Sequence, residues 1–222
     1  MGRSISLPLV ATLTISLTAC TSQTIRPEEY SGFLHDYSQL TEKKLPSGKK
    51  VLAWVSPTLH THPYTRVYIE PSLFYPEMLP TDRAPQSTLS AVIHYYDTAL
   101  KHELGKVMTV VETPGPDTLT IRSSIISVAA RTQSLRFYEW LPVTLLAAGV
   151  STATGIRDQD SEITTEVAIL DAVDQDVVAQ IVRKETGRPL DNDKQVMTLD
   201  DFKPVLDGWA FDMRQAYSSG GK

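Results

Sequence analysis

Hydrophobic positions along this 222-residue chain fall into short alternating runs interrupted by two helical stripes. Val51–Val55 places Leu52 and Trp54 on one face and Val51, Ala53 and Val55 on the other, as a buried strand does. Thr65–Glu70 sets Val67 and Ile69 against Arg66, Tyr68 and Glu70, the period-two pattern of a half-buried strand. From Gln86 to Leu104 the period changes. Leu89, Val92, Tyr96, Ala99 or Leu100, and Leu104 recur at three- and four-residue steps, which predicts a helix capped by Ser87 and ended by Gly105. Strands are predicted over Val107–Glu112 and Thr118–Val128, joined by the turn Pro114-Gly115-Pro116-Asp117. Two more, Glu162–Leu170 and Val177–Lys184, read as a hairpin around Asp171–Asp176, with Ile163, Val167 and Ile169 opposing Glu162, Thr164 and Glu166. A last helix, Asp201–Tyr217, carries the stripe Leu199, Phe202, Leu206, Trp209, Met213 and Ala216, with Asp200 as its cap and Pro204 in its first turn. Gly208 inside that helix costs about 1 kcal/mol relative to alanine, a cost that a close approach of helix to sheet near Trp209 explains.

The order ββ-α-ββ-ββ-α predicts an α+β fold, a mostly antiparallel sheet with two helices packed on one face. Residues 30–217 form its single domain, residues 20–29 a polar tether and 218–222 a flexible tail. Phe33, Leu34, Tyr37 and Leu40, in the aromatic lead-in before Pro46-Ser47-Gly48, are expected to dock onto the domain. With 21 basic against 26 acidic side chains the chain lacks the basic face a nucleic-acid binder needs, so no nucleic-acid partner is expected.

The amino terminus reads as an export signal over residues 1–19. Arg3 supplies a thin positive region, and the apolar stretch Leu7–Leu17 is about half of the roughly 20 residues that a spanning helix needs. Leu17-Thr18-Ala19-Cys20 then resembles the lipobox of bacterial lipoproteins, with the chain's one cysteine as the acyl acceptor. The resemblance implies a membrane partner held through acylated Cys20. Two or three long acyl chains hold where a single one is reversible. Position 21 is Thr rather than the Asp that favours inner-membrane retention, which implies the periplasmic face of the outer membrane.

Further along, Ser31-Gly32-Phe33-Leu34 with Asp36-Tyr37-Ser38 and Leu40, then Ile69-Glu70-Pro71, Pro114-Gly115-Pro116, Glu166, Leu170-Asp171 and Trp209 follow one another in a telling order. Together they resemble a family of bacterial envelope lipoproteins classed as a domain of unknown function, over about residues 30–217. That resemblance carries over no catalytic residue.

Candidate chemistry is sparse. His60 and His62 alternate on an extended segment, so both imidazoles could face a zinc or copper ion, but no third ligand stands nearby. Asp171, Asp174 and Asp176 suit a tight turn better than a calcium loop, which needs a glycine and a distal glutamate. His94 and His102 lie too far apart on one helix to chelate together, and His35 reads as a surface group. There is no G-x-S-x-G, H-E-x-x-H, P-loop or dinucleotide fingerprint, and no cofactor is implied. The nearly uncharged run Leu141–Val150, behind Phe137, Tyr138 and Trp140, is the odd segment. It completes the core or, through Trp140, Leu141, Val143, Leu145 and Leu146, meets lipid, another copy or an apolar ligand. The favoured reading is a lipid-anchored, non-catalytic binding or assembly module for a protein or lipid partner, self-association included. The alternative is an envelope hydrolase using carboxylates or a His60/His62 metal site.

Overall fold

The computed structural model describes residues 25–45, 47–59, 61–132 and 159–220. Strand β1 (Thr41–Lys44) and β2 (Lys50–Val55) are followed by β3 (Arg66–Ile69), β4 (Leu73–Phe74) and helix α1 (Gln86–Leu104). Then come β5 (Thr109–Val110), β6 (Thr118–Thr132), β7 (Gln159–Asp171), β8 (Val177–Leu190) and helix α2 (Leu199–Gly220). The strands form one sheet in the order β1-β2-β8-β7-β6-β3-β5, with β4 pairing β6 beside that path.

The sheet is mixed, which corrects the mostly antiparallel expectation. From β1 through β6 each neighbour runs antiparallel, whereas β3 lies parallel to both β6 and β5, and β4 parallel to β6. The cause is α1. A helix between β3 and β5 returns the chain to the same end of the sheet, and strands joined by such a crossover pair in parallel. The strands predicted over residues 107–112 and 118–128 therefore do not pair with each other. Val67 of β3 sits between Val110 and Leu119, paired to both, and β5 shrinks to two residues.

Alternation along β7 and β8 sends side chains into two separate cores. Ile163, Val167, Ile169 and Ala179 join the α1 stripe Leu89, Val92, Tyr96 and Leu100 and the α2 stripe Phe202, Leu206, Trp209 and Met213. Their neighbours Ala168, Leu170 and Val182 join Ile25 and Leu34, with Tyr30, Phe33, Tyr37 and Leu40 packed against them. The lead-in thus docks as its aromatics foretold.

Three local expectations need correction. The N-cap of α1 is Pro85 and makes no side-chain bond, so Ser87 does not cap it; Gly105 does end it, at φ −60. Helix α2 starts two residues early at Leu199, where the Asp201 carboxylate accepts the Thr198 N–H at 2.7 Å and the Thr198 hydroxyl at 3.1 Å. That is one half of a capping box, and it puts Pro204 beyond the first turn. Gly208 marks no close approach, because a Cβ there would meet only the Lys49 Nζ, at 3.5 Å. The tightest described glycine is Gly187 of β8, where a Cβ would stand 2.2 Å from the Asp201 carbonyl oxygen and 2.5 Å from Ser161 Oγ.

Candidate functional site: a clamp and an apolar cavity

Two features stand out among the described residues. The first is a clamp on the lead-in. Glu166, on the β7 face that alternation marks as polar, is fully buried. Its Oε1 accepts the Ser31 N–H at 2.9 Å, and its Oε2 accepts the Ser31 and Tyr37 hydroxyls at 2.7 Å each. The Tyr37 oxygen in turn accepts the N–H groups of Gly32 at 2.9 Å and Leu34 at 3.2 Å, with Gly32 at φ +85 where a side chain would be strained. Burial, reinforced by the hydrogen bond to the Glu166 carboxylate, raises the Tyr37 hydroxyl pKa. On β8, two residues beyond Val182, the partner of Glu166, Lys184 Nζ donates to Glu29 Oε1 at 2.7 Å and lies 3.3 Å from Glu162. The Lys184 hydrogen bond first, and then the Arg26 N–H donated to Glu29 Oε2 at 3.0 Å, bring the Glu29 carboxyl from 4.5 to about 2. The Ser-Gly-Phe-Leu opening and Glu166 are two halves of one joint.

The second feature is a cavity of about 210 Å³ on the other face of the sheet. β2 contributes Val51, Ala53 and Val55, β8 contributes Ala179 and Ile181, and α2 contributes Met213, Ala216 and Tyr217. Val67, Leu104, Met108, Leu119, Ile121 and Ile169 complete an almost wholly apolar wall. Helix α2 and the β2–β8 wing of the sheet enclose this space without filling it. The charged residues lining it are Lys43, Arg183 and Asp212. Arg183 Nη1 donates to the Trp209 carbonyl at 3.2 Å, and its guanidinium lies 5.4 Å from the Trp209 ring centre. Trp209 Nε1 donates to Glu185 Oε1 at 2.6 Å, and Lys49 holds the other Glu185 oxygen. A charge alternating with Ala179 and Ile181, and another between Trp209 and Met213, were the sequence signals for Arg183 and Asp212; the sequence reading passed over both.

The other candidates disperse. Asp171 forms the hairpin turn: its Oδ1 accepts Val173 N–H at 2.7 Å and Asp174 N–H at 3.1 Å, and its Oδ2 accepts the Tyr64 hydroxyl at 2.8 Å. Burial pushes the Asp171 carboxyl up, but these three donors outweigh it and hold it below the usual range. His62 stacks on Tyr64 at 5.2 Å, and His35, His94 and His102 are exposed. Among the described residues no three His, Cys, Asp or Glu side chains gather to hold a metal ion. Glu162 pairs with Arg131 and Lys184, and Asp201 caps α2. Cys20, His60, Trp140, Leu141, Val143, Leu145 and Leu146 lie outside the described residues. No described helix is long and apolar enough to cross a membrane.

Comparison with known proteins agrees with the family resemblance. A family described as "Protein of unknown function (DUF3313)" matches residues 29–213. The Escherichia coli K12 protein called "Uncharacterized lipoprotein YdcL" is 34% identical over 198 residues, 89% of each chain. Among solved structures, a PelC dodecamer from Paraburkholderia phytofirmans aligns with a TM-score of 0.41 at 7% identity, over 74% of this chain and 96% of that one. A minor lipoprotein from Acinetobacter baumannii aligns with a TM-score of 0.39 at 13% identity, over 70% and 92%.

Proposed function

The chain belongs to the DUF3313 family, and from that premise we propose that it is a lipid-anchored lipoprotein of the outer membrane's periplasmic face whose domain binds the alkyl chain of a lipid. The lipobox at Cys20 and the 34% identical lipoprotein relative support the anchor. The cavity carries the binding reading. At about 210 Å³ it exceeds the roughly 150 Å³ apolar void that stays dry and takes benzene, and falls short of the 300 Å³ or more of a drug-sized pocket. That volume suits a length of alkyl chain and not a whole phospholipid. Burying such a chain gains about 0.8 kcal/mol per methylene. The buried carboxylates Glu166, Glu185 and Asp201 are each engaged in holding the fold, and Asp212 alone keeps an oxygen without a partner among the described residues, one carboxylate where a glycosidase-type hydrolase needs a pair, which favours a binding module.

The test uses the full chain with Cys20→Ser, which removes its own acyl groups, titrated with the uncharged fluorophore N-phenylnaphthylamine. Saturable binding near one per chain is expected, weakened about tenfold or more by Ala216→Trp, an exposed position on the cavity rim. Unsaturable binding, or binding indifferent to Ala216→Trp, refutes the reading. Wild-type chain in the membrane fraction and Cys20→Ser released from it is the result expected for the anchor.

A further inference from the structure

The clamp side of the sheet carries an exposed apolar strip. β4 pairs with β6 and β6 with β7, and the register runs Leu73 to Ser124 to Glu166, so Leu73 stands on the face of the clamp carboxylate, two strands away. Phe74 turns inward to the main core, while its neighbours Leu73 and Tyr75 are 43% and 42% exposed. The Tyr75 ring meets the Phe33 ring at 5.8 Å, and Phe33 packs against the smaller core that holds Ile25 and Leu34. The strip is thus continuous with the point where the lead-in enters the domain. Two residues before Ser124 on β6, Arg122 grips the Glu70 carboxylate at 2.8 and 3.0 Å, so the charges beside the strip neutralise each other.

Where the chain is tied decides what covers this strip. Ile25, 4% exposed, lies five residues beyond Cys20, and at about 3.6 Å per residue that length spans at most about 18 Å. A bilayer that holds acyl groups on Cys20 is within that reach of the cluster from which the strip extends. The formal charge of −5 gives anionic lipid no general pull on the chain, so a standing contact has to be apolar. Leucine and phenylalanine suit the acyl boundary, and tyrosine can bury its ring there while its hydroxyl stays hydrated. A second copy or a partner protein could seat on an apolar strip anywhere on the domain; nearness to the tether is what selects lipid. Resting on the reading of Cys20 as an acylated anchor, we propose that Phe33, Leu73 and Tyr75 dock on the lipid surface and set the domain clamp face down on the bilayer.

The chain's one cysteine is the proposed acyl acceptor, so a cysteine placed elsewhere is the one free thiol of the acylated protein. Leu73→Cys and Tyr75→Cys, each labelled with the fluorophore NBD, are compared with Phe211→Cys, at a 40% exposed position on α2, the helix that packs on the main-core face. The full acylated chain is held in vesicles of phosphatidylethanolamine with phosphatidylglycerol as the minor lipid, with and without bromine near the top of the acyl chains. Interfacial elements settle about 5–10 Å into the headgroup boundary, so the labels at positions 73 and 75 should shift to the blue and be quenched about twofold or more. Salt should leave that quenching unchanged, and the label at position 211 should stay unquenched. Labels at 73 and 75 no better quenched than that at 211 overturn the docking face, while flotation of the protein with the vesicles leaves the anchor standing. A blue shift without bromine quenching means that protein covers the strip, and overturns the proposal as well. A wild-type chain that takes the thiol label, or that fails to float, removes the anchor itself and this inference with it.

Discussion

Glu166→Gln tests the joint between lead-in and sheet with the smallest possible change. The side chain keeps its shape and loses its charge, and one acceptor oxygen becomes an N–H₂ facing donors. All three partners of Glu166 are donors, the Ser31 N–H and the Ser31 and Tyr37 hydroxyls. The hydroxyls can rotate, but the Ser31 N–H cannot. Hydrogen bonds to a charged group contribute about 1.5–3 kcal/mol each, and an orphaned buried donor costs about 1–3 kcal/mol. Because rotation recovers part of the loss, about 2–3 kcal/mol is the expected penalty. It falls on docking of the lead-in, whose core is separate from the one under the helices. Amide exchange of Gly32 and Leu34, whose N–H groups bond the Tyr37 oxygen, is the assay. Protection of both should drop about 30- to 150-fold, with amides of α1 such as Val92 little changed. A drop under about threefold at Gly32 and Leu34 would falsify the clamp, and an equal drop at Val92 would show that the lead-in does not open on its own.

The same joint should be pH-sensitive at both ends. The Glu29 carboxyl is depressed, so its contribution is full above 4.5 and lost as pH falls toward about 2. The Tyr37 hydroxyl is raised, so its contribution is full below 10.0 and lost as pH rises through the raised value. Amide protection of Gly32, corrected for intrinsic exchange, should therefore plateau between those limits; a flat profile down to pH 2 counts against the Glu29–Lys184 contact. Gly187→Ala should destabilise by about 3 kcal/mol in urea unfolding, because the Asp201 carbonyl already occupies the methyl position. Gly208→Ala should instead stabilise by about 0.5–1 kcal/mol, and a loss there would show a neighbour closer than Lys49. Trp209→Phe should cost about 2 kcal/mol by stripping the indole N–H from buried Glu185, read as a lower urea midpoint.

What the sequence revealed of this fold follows how locally each part is determined. The α1 stripe was legible because five buried residues recur at helical spacing. The β7–β8 hairpin was legible because its faces alternate around a turn rich in aspartate. β1 was not, since Thr41–Lys44 is exposed throughout and owes its strand conformation to pairing with β2. The parallel placement of β3 was hidden for a related reason: nothing in Arg66–Ile69 states that Val110 and Leu119, far along the chain, will flank it. Glu166 misled because period two reports which face a residue takes, not whether another segment covers that face. Arg183 and Asp212 escaped notice because a single charge in an apolar pattern reads as noise until the cavity beside it is seen.

The sheet also assigns the two features opposite sides, and this has a mechanical consequence. Residues 29–37 grip Glu166 and Lys184, while the cavity takes Ala179, Ile181 and Arg183 from the other face. Arg183 and Lys184 are neighbours on β8, so a single strand separates the tether's attachment from the buried guanidinium. Ile25 is already buried in the core of the lead-in, so the chain between Cys20 and the domain comes down to the residues before Ile25. An extended residue spans at most about 3.6 Å, so those few residues keep the proposed acylated end near the lead-in side of the sheet. On the proposed anchor, the face that carries the clamp is the one turned to the bilayer, and the cavity rim, formed by β2 and the end of α2, lies on the far side of the sheet from it. Inserting a flexible linker of about ten residues after Thr21 tests this arrangement: it should leave fluorophore affinity unchanged in the acylated, vesicle-bound protein. An affinity that rises on insertion would mean that the short tether presses the rim against the membrane, and would refute the separation of the two faces.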